Sequence, residues 1–125
     1  DPAARLIVGT DKKAGLYVYG LDGRTRSFFD AGRVNNVDLR AGVTVQGREQ
    51  VLVAASDRGD LANARIALFT LDTAAARLVP LGLVPAGSGE AYGLCLGRLG
   101  GELHAFMVVK DGTIRQYRLD LAGSP

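Results

Sequence analysis

Residues 8–23 read VGTDKKAGLYVYGLDG. Apolar residues alternate up to Thr10, a polar corner intervenes at Asp11–Lys13, and alternation resumes from Leu16. That is the pattern of a β-hairpin. Two of the chain's three lysines, Lys12 and Lys13, occupy its corner. Whether that corner recurs decides how the whole chain is read.

It does recur. LYVYGLDG from Leu16, IALFTLDT from Ile66 and IRQYRLDL from Ile114 each carry an aromatic, one further residue, then Leu-Asp. The leucines fall at positions 21, 71 and 119, a period of about 50 residues, and multi-strand units of about 40–50 residues are the signature of propeller blades. The preceding strands repeat as well: LIVGTDK, VLVAASDR and AFMVVKD all run into a polar corner with an Asp and a basic residue. Lys12 and Arg58 directly follow their Asp, whereas Lys110 precedes Asp111, so the third copy is offset. Equivalent corners of successive blades lie around one rim. Three cations gathered there call for a negative ligand, a phosphate or a carboxylate.

The rest of the chain agrees with a β fold. Strand patterns fall at 5–10, 16–21, 24–30, 36–45, 50–56, 64–71, 76–84, 91–97, 102–110 and 113–120, separated by Gly, Asp and Asn. LDTAAARL is the best helical alternative, but its apolar spacing is short and it follows a strand directly. The expectation is an all-β chain: antiparallel four-stranded blades, two to three of them, in one partial β-propeller over 1–125 with repeat units near 1–35, 36–84 and 85–125.

Composition narrows the function. The chain has 125 residues, 47% hydrophobic and 22% charged, with 17 glycines, as a turn-rich globular fold requires. A net charge of +2 with scattered arginines gives no nucleic-acid footprint. No apolar run approaches the ~20 residues that cross a membrane. Cys95 is the single cysteine and His104 the single histidine, so neither an internal disulfide nor a Cys/His zinc site can form. Cys95, in YGLCLG, reads as a buried strand residue. The chain opens inside a strand and ends on LDLAGSP, as though cut from something longer.

TDKKAGLYVYGLDG, GRVNNVDLR, LVAASDR, EAYGL and VVKDG together resemble the β-propeller phytases in order and spacing. These are calcium-dependent enzymes that hydrolyse phytate, inositol hexakisphosphate. The resemblance spans nearly the whole chain and implies a six-bladed ring, of which this chain would supply two to three blades. It matches Lys12, Arg58 and Lys110 to phosphate-binding cations and Tyr92 to an active-site tyrosine. It sets Asn35, Asn36 and Asp38 of NNVD in a segment used near bound calcium, with Asp38 the best single ligand. Asp111 stands where the family has a glutamate near the metal cluster. Oxygen ligands of this kind suit calcium, although Asn and Asp are also favoured turn residues.

The mechanism so implied is metal-assisted hydrolysis of a phosphate monoester, with a metal-bound water attacking in line. The family's acidic ligands would lie largely outside this stretch, so the piece alone is expected to be inactive. It would be completed by further blades or by self-association. A bacterial, secreted or periplasmic protein is expected on the same grounds. Two rivals stand beside this reading: a non-catalytic propeller module that binds a polyanion or a protein, and another propeller enzyme such as a lactonase.

Overall fold

The computed structural model describes residues 4–121. They form ten strands: β1 (Leu6–Asp11), β2 (Gly15–Gly20), β3 (Thr25–Phe29), β4 (Val34–Val45), β5 (Arg48–Asp57), β6 (Asn63–Asp72), β7 (Arg77–Ser88), β8 (Ala91–Leu99), β9 (Glu102–Val109) and β10 (Ile114–Arg118). These make three antiparallel sheets in the orders β1-β2-β3, β4-β5-β6-β7 and β10-β9-β8. Each sheet is a meander of neighbouring strands, as propeller blades are. The central sheet has all four strands. By the sequence repeat β1 and β9 correspond to β5, so the first sheet begins at a second strand and the third ends at a third strand.

The stretch LDTAAARL is a hairpin, not a helix. Asp72 Oδ1 accepts the Ala75 N–H at 3.0 Å, and Ala76 takes a positive φ of 55°. A side chain that bonds its own turn offers the backbone an alternative to helix. Between β4 and β5, Gln46–Gly47, and between β8 and β9, Gly100–Gly101, close two-residue hairpins with positive φ at both positions, the geometry that matches strand twist.

The sheets pack face to face, and strand parity sorts the core. In β5 and β6, Val53, Ala55, Ala67 and Phe69 face the first sheet, where Leu16, Val18, Val8 and Phe29 meet them. Leu52, Ala54, Ile66 and Leu68 face the third sheet and pack on Leu94, Leu96, Ala105 and Met107. The central sheet is therefore buried on both faces, which explains its near-continuous apolar runs. The outer sheets alternate instead, because each has one covered face. Their uncovered faces carry Ile7 and Phe28 at one end and Val108 and Ile114 at the other.

Parity also corrects the expectation for Cys95. Leu94 and Leu96 enter the core, so Cys95 between them faces the uncovered side of the third sheet, where it is free and exposed.

Polar ties join the second and third sheets. Asp38 Oδ2 accepts the Leu96 N–H at 2.8 Å, while Arg40 Nη2 donates to the Leu96 C=O. Asp38 Oδ1 and Arg40 Nη1 are 3.1 Å apart. Two side chains of β4 thus grip both backbone groups of one β8 residue.

Leu52, fully buried between the second and third sheets, gives the direct test of this packing. Leu52→Ala in the full chain should cost about 2–5 kcal/mol, read as a lowered denaturant midpoint with an unchanged m-value.

Candidate functional site

The cation-bearing corners are built by one local device. Asp11 Oδ1 accepts the Lys13 N–H at 3.1 Å, and Asp57 Oδ1 accepts the Gly59 N–H at 2.8 Å. Each is an Asx turn, and its central residue is the cation, Lys12 in one case and Arg58 in the other. Asp111 makes the same bond to the Thr113 N–H at 2.9 Å, but here the central residue is Gly112. Hydrogen bonds from the Thr113 backbone and side chain hold the Asp111 carboxyl below the usual carboxylate range. Lys110 lies before the turn. Its N–H donates to the Glu90 C=O at 3.0 Å, and its Nζ is 3.8 Å from Glu90 Oε2.

A continuous line of contacts links the corners along one rim. Arg58 Nη2 reaches the Lys12 C=O at 3.5 Å, and the Arg58 N–H donates to the Arg33 C=O at 2.8 Å. Ser56, two residues earlier, donates through Oγ to the Tyr92 C=O at 2.6 Å and accepts the Asn36 N–H at 3.0 Å. Tyr92 is two residues from Glu90, which meets Lys110. Lys12, Arg58, Tyr92 and Lys110 therefore share one edge of the molecule, formed where β1, β5 and β9 end and β8 begins. The Tyr92 ring is about half exposed. Lys12 Nζ has no ion-pair partner among the described residues. Arg58 Nε is buried without a hydrogen-bond partner.

The metal candidates sit differently. Both Asp38 oxygens are engaged, by Leu96, by Arg40 and by the Leu39 N–H at 2.8 Å. Asn36 Oδ1 accepts the Val37 N–H at 2.8 Å. Asn35 is half-buried at the start of β4, and Asp111 caps its exposed turn. Among the described residues no group of three or more His, Cys, Asp or Glu could hold a metal ion. Calcium needs about six to eight oxygens, so these four residues do not make a calcium site by themselves.

Three residues at this rim carry no sequence signal of their own. Ser56 is fully buried yet reads as one more residue of VLVAASDR. Glu90 has a side chain only 14% exposed beside Lys110. Arg65 pairs with Asp57 at 3.2 Å across the β5–β6 hairpin. Hairpin registers would have brought Arg65 to Asp57 and Glu90 to Lys110; the Ser56 bond to Tyr92 depends on a contact between sheets.

Blade-like meanders packed face to face, with cations at recurrent corners of one rim, define a β-propeller arc. The chain matches the phytase family over residues 1–124. It is 31% identical over 124 residues to a 3-phytase of Bacillus subtilis (strain 168), an alignment covering 94% of this chain and 32% of the relative. The chain belongs to the phytase family, and it spans about a third of the length of that curated relative.

Ser56→Ala would remove a fully buried hydroxyl and leave the Asn36 N–H and the Tyr92 C=O together without that partner. The expected loss is about 1–3 kcal/mol, measured by equilibrium unfolding. Hydrogen exchange at Asn36 should speed up in the same variant.

Proposed function

We propose that this chain is the phosphate-gripping part of a phytase, a phosphoric monoester hydrolase acting on myo-inositol hexakisphosphate. The reading is carried by the run of contacts that lines up Lys12, Arg58, Tyr92 and Lys110 on one rim in a member of the phytase family.

Each residue has a role suited to its chemistry. Arg58 offers a planar guanidinium whose terminal amino groups suit phosphate oxygens. Lys12 and Lys110 act as point charges that hold neighbouring phosphates of the ring. The Tyr92 hydroxyl donates to a phosphoryl oxygen or to the leaving-group side of the substrate. Together they neutralise the phosphoryl oxygens and hold the ester for in-line attack by water.

Calcium dependence belongs to this proposal for the whole protein only. It would draw on oxygen ligands beyond this chain together with its own, of which Asp38 is the best candidate, and no step assigned to these residues passes through the metal. The apolar outer faces at Ile7, Phe28, Val108 and Ile114 are suited to burial under further blades or another copy. A secreted or periplasmic location goes with the family resemblance.

A second reading is a non-catalytic propeller that binds a polyanion, for which the exposed Lys110 and half-exposed Tyr92 of the rim would serve equally well.

Phosphate release and calorimetric phytate binding by the whole protein, with and without a chelator, separate the two. Calcium-supported release that stops on chelation is the expected result. Arg58→Ala should then raise KM about tenfold to a hundredfold, the value of one charge-assisted contact. Phytate binding with no release under any metal condition would leave the second reading, and absence of binding would overturn both.

A further inference from the structure

The turn that presents Arg58 is backed by an ion pair with no part in the assignments above. Asp57 ends β5 with its side chain only 7% exposed, and its two oxygens do different work. Oδ1 closes the turn around Arg58 by accepting the Gly59 N–H at 2.8 Å. Oδ2 lies 3.2 Å from Arg65 Nη2, and Arg65 is the cross-strand partner of Asp57 in the β5–β6 ladder. The carboxylate is therefore held at both oxygens, which fixes its rotamer and with it the turn.

Packing around the pair is close. A Cβ added at Gly59 would lie 3.0 Å from Arg65 Nη2 and 3.1 Å from Asp57 Oδ1, tighter than an ordinary contact. On the other side, the Arg58 N–H is committed to the Arg33 C=O at 2.8 Å. With its backbone held from two directions, Arg58 sends its guanidinium toward the Lys12 carbonyl and leaves Nε buried and unpartnered. Arg65 Nε is buried and unpartnered as well, so the groups of Arg58 that an oxyanion can meet are its terminal amino groups. The Lys12 corner has the same turn, but among the described residues Asp11 has no ion-pair partner. The reinforcement is specific to Arg58.

We propose that Asp57 and Arg65 are positioning residues for Arg58. Their ion pair sets the turn so that the terminal amino groups of the Arg58 guanidinium face a phosphomonoester oxyanion. This rests on the reading of Arg58 as an anion-binding residue.

The test uses the full chain and the dissociation constant of phytate by calorimetry, with inorganic phosphate as a second probe. Asp57→Asn, Arg65→Gln and Arg65→Lys are made alone and combined with Arg58→Ala, and thermal unfolding confirms that each is folded at the assay temperature. Asp57→Asn and Arg65→Gln should weaken binding about tenfold, within the coupling range of contacting residues. Arg65→Lys should recover most of that loss. The effect should vanish when Arg58 is already alanine. Equal weakening with and without Arg58 would overturn the positioning role, as would unchanged binding in a folded Asp57→Asn protein. Should Asp57→Asn not fold, Gly59→Ala, which presses on the pair without removing a charge, is read against the same outcomes. Unchanged binding in Arg58→Ala itself would instead overturn the anion-site reading, and the positioning proposal with it.

Discussion

Burial of the central sheet on both faces is the constraint from which the rest of this structure follows. Val53, Ala55, Ala67 and Phe69 need the first sheet, and Leu52, Ala54, Ile66 and Leu68 need the third. Because both faces are apolar, hydrophobicity alone does not fix which residues point which way. A slip of one residue would exchange the faces at little hydrophobic cost. Register must be pinned by something directional, and the polar ties are directional. Asp38 and Arg40 engage the N–H and C=O of a single residue, Leu96. Ser56 engages Tyr92 on one side and Asn36 on the other. Each would lose its partners in a slipped sheet and leave buried polar groups unpaired.

The same ties reach the rim. Ser56 is part of the last stretch of β5, immediately before Asp57 and Arg58. Its bond to the Tyr92 carbonyl fastens the start of β8 to the end of β5, so the register of the core is also the register of the corners. At the corners the acidic residue beside each cation serves the backbone. Asp11 and Asp57 close turns around Lys12 and Arg58. The offset at Lys110 follows from a different solution, in which Glu90 receives both the backbone N–H and the side chain of the lysine.

Much of the fold was legible in the sequence, because it rests on signals that repeat locally. Alternation located all ten strands, and the aromatic-x-Leu-Asp repeat gave the blade period. The shared edge of Lys12, Arg58 and Lys110 followed from the same period. What local pattern could not supply were contacts between sheets. Nothing local shows that Asp38 is tied to Leu96, which lies 58 positions away. Cys95 looked buried because an apolar run does not say which face a neighbour will cover. Arg65 carries no signal of its own in the sequence, and its place against a buried carboxylate comes from the β5–β6 hairpin register.

Counting charges along the chain hides the electrostatics of the rim for a related reason. Every basic residue there has an acidic neighbour in sequence or in space, so the formal balance is close to neutral. The fold separates the two signs by direction. Asp57 is turned inward, with its side chain 7% exposed, and Glu90 is only 14% exposed, while the Lys110 side chain paired with it is 68% exposed. Carboxylates directed inward and bonded to N–H groups spend their field on the backbone and on buried partners. Cations directed outward present theirs to solvent, where screening is overcome only by a ligand that meets several at once. A chain of net charge +2 can in this way carry a concentrated cationic edge, built by orientation rather than by an excess of positive residues.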